Sequence, residues 1–155
     1  LKQNKALFLD RDGVINEDKG YVYKIEDFIF TDHIFEVAAY YQAMGYLIIV
    51  VTNQSGIARG YYAEEDFKLL TDWMMEQFLK RKIRITHVYH CPHHPDFNLT
   101  CDCRKPEPGM LMEAAKDYNV DLSESILIGD SESDMEAGRR AGLARNLHVT
   151  ENLFI

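Results

Sequence analysis

The sequence predicts an α/β fold, a doubly wound parallel sheet covered by helices on both faces. Three observations carry that prediction. Short apolar, β-branched runs alternate along the chain with stretches of helical periodicity. Leu47 to Val51 is apolar throughout, the pattern of a strand buried on both faces. The main apolar runs end in polar clusters, and ligands of open α/β sheets bind beyond the carboxyl ends of the strands.

In chain order, Ala6 to Leu9 reads as the first strand, and Ile34 to Met44 as a helix closed by Gly45. Leu47 to Val51 is the second strand, followed by a longer helix from Glu64 to Lys80. Within that helix Trp73, Met74, Met75 and Phe78 read as core packing. Ile85 to Tyr89 is a weaker third strand, with His87 and His90 as ordinary polar positions beside it. A helix begins near Pro108-Gly109 and ends about Tyr118. Ile126 to Ile128 is the fourth strand, running into Gly129-Asp130, and Ser133 to Ala141 is the last helix, with Gly142 behind it. One segment, His90 to Lys105, has neither period and is longer than structureless connections usually are, so something must order it.

The 155 residues are 46% hydrophobic and show no repeat or linker, which predicts one domain spanning 1–155. With 17 Lys and Arg against 25 Asp and Glu, the net charge of −8 argues against nucleic-acid binding, which needs a basic face. The longest apolar run, Tyr46 to Val51, falls far short of the roughly 20 residues of a membrane span. Lys2 and Lys5 are followed only by the short run Ala6 to Leu9, too little for a signal-peptide core. The expectation is a cytoplasmic monomer acting on a small molecule, with neither nucleic acid nor membrane as partner. The chain opens on Leu1 rather than Met, so leading residues are expected to be missing.

The strand ends carry the chemistry. Asp10-Arg11-Asp12-Gly13 follows the first strand and sets two carboxylates two residues apart, able to converge on one centre as nucleophile and general acid/base. An Asx-rich turn with solvated acids is the plain alternative. Thr52-Asn53-Gln54-Ser55 follows the second strand with donors suited to an oxyanion, or with a helix N-cap. Gly129-Asp130-Ser131-Glu132-Ser133-Asp134 adds a second carboxylate pair; Asp130 can ligate Mg²⁺, while Asp134 also suits the first turn of a helix. Arg104-Lys105 supplies local positive charge. Carboxylates, a Thr, a Lys and a Mg²⁺ site fit phosphoryl transfer. A receiver-like phospho-acceptor domain uses a similar set, but it needs no acid two residues after its Asp.

All three cysteines lie between positions 91 and 103, and Cys101 and Cys103 are too close to bridge without strain. Cys91-x-His93 and Cys101-x-Cys103 instead make two ligand pairs for a tetrahedral Zn²⁺ with a closed, structural shell, and His94 competes with His93.

Asp10-x-Asp12-Gly13, Thr52, Lys105 and Gly129-Asp130-x-x-x-Asp134 resemble the four ordered motifs of the haloacid dehalogenase superfamily of phosphatases. Leu9 to Gly13, Gly20-Tyr21-Val22, Val51 to Gly60, Cys91-Pro92-His93-His94-Pro95 and Cys101 to Pro106 narrow the resemblance to its zinc-containing sugar-bisphosphate phosphatases. The histidinol-phosphate phosphatases share the aspartates, Thr-Asn-Gln and the zinc loop, but are not similar over Ser55 to Gly60 or around Gly20-Tyr21. The resemblance implies Asp10 as nucleophile, Asp12 as acid and base, and Thr52 and Lys105 on the phosphoryl oxygens. It implies Mg²⁺ between Asp10, the Asp12 backbone carbonyl and Asp130, and Zn²⁺ on Cys91, His93, Cys101 and Cys103. Substrate contacts carry over to Asp18, Lys19, Gly20 and Tyr21, to Asn53, Gln54 and Ser55, and to Arg104. Ser131 departs from the pattern, standing where relatives carry Lys. The intervals between motifs leave no room for a folded cap, so the fold is expected to be capless, with an open site. Relatives continue past Ile155, so the far edge of the sheet is expected to be short.

Overall fold

The structure, a computed structural model, describes residues 2–155. Five parallel strands form one sheet in the order β3-β2-β1-β4-β5. They are β1 (Ala6–Leu9), β2 (Leu47–Asn53), β3 (Ile85–Cys91), β4 (Ile126–Gly129) and β5 (Arg145–His148). The helices are α1 (Ile34–Ala43), the single turn α2 (Ser55–Ala58), α3 (Glu64–Leu79), α4 (Gly109–Tyr118) and α5 (Glu132–Ala141).

Alternation along the strands divides the core. Leu7 and Leu9 of β1, with Ile48 and Val50 of β2, pack against Val37 and Tyr41 of α1 and Leu70, Met74 and Phe78 of α3. Ala6 and Phe8, with Ile49 and Val51, turn the other way against Met110, Leu111 and Ala114 of α4 and Ala137 of α5. Each fully buried aliphatic or aromatic side chain is worth roughly 1.5–3 kcal/mol. Met74 and Phe78 are completely buried, and Trp73 and Met75 pack against the same cluster from its margin. No described helix is long and apolar enough to cross a membrane.

The doubly wound sheet is the predicted one, with two additions. β5 forms the edge beyond β4, and its sequence Arg-Asn-Leu-His buries only Leu147. β2 and β3 run two residues further than their apolar cores suggest, so Thr52, Asn53 and Cys91 are strand residues paired in register. Backbone pairing, not hydrophobicity, extends a strand there. Between β1 and α1 lie only loops and a 3-10 turn at Ile25–Asp27, and between β2 and β3 only α2 and α3. No cap covers the carboxyl ends of the strands among the described residues.

β1 is flanked by β2 on one side and β4 on the other, the point at which the winding reverses. The crevice opens there, beyond Leu9 and Gly129.

Candidate active site

At this crevice a cavity of about 440 Å³ is lined by Asp10, Asp12, Asp18, Gly20, Tyr21, Asn53, Gln54, Ser55, Lys105 and Asp130. Tyr62, Ser131, Ser133 and Asp134 complete its wall. Three expected residues are not part of that wall. Thr52 is buried at the end of β2, where its hydroxyl accepts from Gln54 Nε2 at 2.9 Å. Lys19 is exposed on its loop. Arg104 points its Nη1 at the His93 carbonyl, 3.5 Å away, and lines an adjoining hollow with Pro95, Leu99 and Cys101.

The turn after β1 is tight. Gly13 has φ +89°, and a Cβ there would come within 1.9 Å of Asp130 Oδ2, so only glycine lets this turn approach the end of β4. Gly129 meets the same demand from the other side, because an added Cβ would lie 2.4 Å from the Asp134 side chain.

Lys105 is held on three sides. Its Nζ lies 3.1 Å from Asp10 Oδ1, pairs with Asp134 Oδ1 at 2.5 Å, and donates to the Val51 carbonyl at 3.1 Å. Its backbone is clamped by Asn53, whose Oδ1 accepts from Lys105 N and whose Nδ2 donates to Lys105 O. Asp134 closes the fourth motif, and its position also suits the first turn of α5. It is fully buried, and its Oδ2 also accepts from the backbone N–H groups of Asp130 and Ser131. Ser131 in turn is the N-cap of α5, accepting from Asp134 N and donating to Asp134 Oδ2. The Ser-x-x-Asp spacing of that reciprocal cap was readable in the sequence; the ion pair to Lys105 was not.

Charge is unbalanced here, with Asp10, Asp130 and Asp134 gathered around one ammonium. Burial pushes the Asp10 carboxyl up to about 8, with Lys105 opposing the rise and Asp134 adding to it. Burial, then Asp134, raises Asp130 as well. Burial disfavours the ionised form of Asp134 too, but Lys105 outweighs it and holds this carboxyl below the ordinary range. Lys105 itself is lowered by burial and raised more by Asp10 and Asp134, so it stays protonated. Hard oxygen donors carrying excess negative charge match a divalent cation such as Mg²⁺. Since both Asp134 oxygens are already engaged, Asp10 and Asp130 are the carboxylates free to hold it.

Asp12 lies across the cavity. Its Oδ1 accepts from Arg11 Nη2 at 2.9 Å and Asn16 Nδ2 at 3.0 Å, and its Oδ2 from Gln54 Nε2 at 3.1 Å. The Gln54 carbonyl accepts from the Tyr62 hydroxyl, which burial raises to about 12 and so keeps protonated. Tyr21, at φ +53°, is a non-glycine residue in the left-handed region, a conformation that clusters in binding loops.

A second cluster lies at the end of β3. Cys91, His93, Cys101 and Cys103 each offer a ligand atom, all within 4.8 Å of one another. His94 is turned elsewhere, its Nδ1 accepting from Asp96 N at 3.1 Å. Burial raises the Cys91 and Cys103 thiols; it also opposes ionisation of Cys101, but hydrogen bonds from Cys103, Cys91 and His93 bring that thiol down to about 6. Three sulfurs and an imidazole are the donor set of a closed structural zinc site.

The HAD-hydrolase-like family (Hydrolase_like) matches residues 102–151. The chain is 54% identical over 149 residues to the D-glycero-alpha-D-manno-heptose-1,7-bisphosphate 7-phosphatase of Campylobacter jejuni, covering 96% of this chain and 84% of that one. It is 48% identical to the corresponding beta enzyme of Helicobacter pylori strain J99, over 98% of this chain and 87% of the relative. Among solved structures, the D,D-heptose 1,7-bisphosphate phosphatase of B. bronchiseptica, complexed with magnesium and phosphate, superposes with a TM-score of 0.85 at 34% identity, covering 92% of this chain and 79% of that one. A sheet whose strand ends gather these four motifs, and relatives this similar over this length, make the chain a hydrolase of the haloacid dehalogenase superfamily, within its family of heptose-1,7-bisphosphate 7-phosphatases.

Proposed function

We propose that this chain removes the C7 phosphate of D-glycero-D-manno-heptose 1,7-bisphosphate, a step in making nucleotide-activated heptose for surface glycans such as lipopolysaccharide. The observation that carries the reading is one open cavity presenting Asp10, Asp12 and Lys105 together, with the Asp18–Tyr21 loop and Asn53 to Ser55 on its rim. Asp10 is the nucleophile: a carboxylate oxygen attacks phosphorus as the bond to the sugar oxygen breaks, giving an aspartyl-phosphate. Asp12 Oδ2 donates its proton to the departing sugar oxygen. Water then attacks the acyl phosphate, Asp12 Oδ2 takes its proton, and phosphate leaves with Asp10 restored. Lys105 neutralises the phosphoryl oxygens, and Thr52 fixes Gln54 beside Asp12.

Asp10, the Asp12 carbonyl and Asp130 hold Mg²⁺ in this reading. When bound, the ion offsets the charge of the carboxylates and the phosphoryl group. Cys91, His93, Cys101 and Cys103 hold Zn²⁺, which orders the loop carrying Arg104 and Lys105. Arg104, with Lys19 beside Asp18, serves the remote part of the substrate. A monomer in the cytoplasm completes the reading, since thiols reserved for a metal suit a reducing compartment.

The test is phosphate release from heptose 1,7-bisphosphate, fructose 1,6-bisphosphate and histidinol phosphate at equal concentration with Mg²⁺ present. Preference for the heptose is expected; faster release from histidinol phosphate would replace the substrate assignment.

A further inference from the structure

The largest fully buried side chain is a charged one, Arg11, only 1% exposed. It stands between the two catalytic aspartates in sequence, but it does not line the cavity and is shut off from solvent. Phe28 and Phe67 lie on the guanidinium at 5.8 and 5.9 Å, and Nη1 is buried with no partner among the described residues. Burying an arginine in aromatic surroundings is costly, so what its remaining nitrogens do must matter. Nη2 donates to Asp12 Oδ1 at 2.9 Å and to the Val22 carbonyl at 2.6 Å, and Nε reaches the same Oδ1 at 3.3 Å. Val22 is the residue that ends the Asp18–Tyr21 loop. Asn16 Nδ2 adds a further donor to Oδ1 at 3.0 Å and also holds the Glu17 carbonyl that begins this loop, at 3.1 Å.

Oδ1 therefore faces only donors and has no place for a proton of its own. Oδ2, on the side of Gln54, is the oxygen left for the reaction. We infer that Arg11 is a positioning residue: with Asn16 it turns the Asp12 carboxyl so that Oδ2 alone exchanges protons with the substrate, and it pins both ends of the substrate loop to that carboxyl. The reacting proton passes from Oδ2 to the leaving oxygen as the P–O bond breaks, and returns to Oδ2 from the water that attacks the aspartyl-phosphate. The inference rests on the mechanism above and extends it to a residue that touches no substrate.

The experiment compares phosphorylation of the enzyme by two kinds of ester in single turnovers. An alkyl phosphate such as heptose 1,7-bisphosphate needs its leaving oxygen protonated, whereas p-nitrophenyl phosphate releases a stable phenolate and does not. Arg11→Met is expected to slow the first step on the order of 10²-fold with the alkyl phosphate. It should leave the first step with p-nitrophenyl phosphate little changed, giving a burst of p-nitrophenolate followed by slow turnover. Asn16→Ala, which keeps the guanidinium, should show the same split to a smaller degree, and it carries the test should Arg11→Met fail to fold. Equal slowing with both esters, or slowing with neither, overturns the inference. A wild-type enzyme inactive on heptose 1,7-bisphosphate would refute the substrate assignment alone, because the comparison then runs on another alkyl phosphate that the wild type hydrolyses.

Discussion

The carboxylate cluster and the sulfur cluster lie at the carboxyl edge of the same sheet, yet they are built on different foundations. Asp10 follows β1, Asp130 follows β4, and Asp134 is on the first turn of α5, so three packed elements set their positions before any ligand arrives. Lys105 is tied to these through Asp10, Asp134, Val51 and Asn53. In the sulfur cluster only Cys91 belongs to a strand, paired with Asn53, while His93, Cys101 and Cys103 hang on a loop without secondary structure. Most hydrogen bonds of that loop close within it, such as Asn98 N to the His94 carbonyl. The first cluster is organised by the packed elements of the fold, and the second sits on a loop that the sheet does not order. On the proposed reading, the lesson is that a Mg²⁺ would serve chemistry on a rigid frame while a Zn²⁺ would itself supply rigidity.

This contrast can be broken at four points, taken from the strongest effect down. Asp10→Asn removes the nucleophile while nearly conserving shape, so steady-state turnover should vanish and the thermal midpoint should hold; wild-type hydrolysis by the purified variant would end the covalent mechanism. Asp12→Asn should cost about 10²–10⁴ in rate, the range of a general acid/base, measured as phosphate release from the heptose bisphosphate. A variant retaining full rate would move that role to another group.

Arg104→Ala sharpens the comparison, since this residue belongs to the loop yet neighbours the rigid Lys105. One charge-assisted contact is worth about 1.5–3 kcal/mol, so kcat/KM on the bisphosphate should fall roughly 10–100-fold. The loss on p-nitrophenyl phosphate should be smaller, and equal losses would detach Arg104 from substrate recognition. The smallest effect on turnover is expected from Cys101→Ser, Cys103→Ser. Metal analysis should show the zinc lost, but Lys105 keeps its partners in Asp10 and Asp134. Activity should therefore fall only about tenfold, the low end of one lost contact, and helix content by circular dichroism should be unchanged. Collapse of the whole fold in this double variant would mean that the sheet, and with it the carboxylate cluster, depends on the metal.

How much of this was legible depends on the range of the interactions. Leu7 and Leu9 against Ala6 and Phe8, or the caps at Gly45 and Gly142, are local patterns, and they place strands and helices to within a residue or two. β5 escaped because Arg145, Asn146 and His148 carry no apolar periodicity; it is a strand only because β4 offers an unpaired edge. His148 then reaches back to the Asp130 carbonyl at 3.2 Å, a contact across the end of the sheet. Arg11 and Asp134 were read by type, one as the variable residue between two aspartates and the other as a fourth-motif carboxylate that also suits a helix start. Burial altered the meaning of both.

That Asp10, Asp12 and Asp130 would stand at strand ends with Lys105 near them, and that Cys91, Cys101, Cys103 and a histidine would share one loop, was legible in residue types at fixed spacings; the choice of His93 over His94 was not. Only the tertiary structure decided that Asp134 spends its carboxylate on Lys105, that Arg104 turns toward the His93 carbonyl, and that a guanidinium buried against Phe28 and Phe67 holds one oxygen of Asp12. The physical reason is that a spacing dictates which side chains can share a crevice, whereas the partner of a charge is selected by what remains once water has been removed. In a crevice with three carboxylates and one ammonium that selection is made across β1, β4, α5 and the loop before α4, among residues up to 124 positions apart.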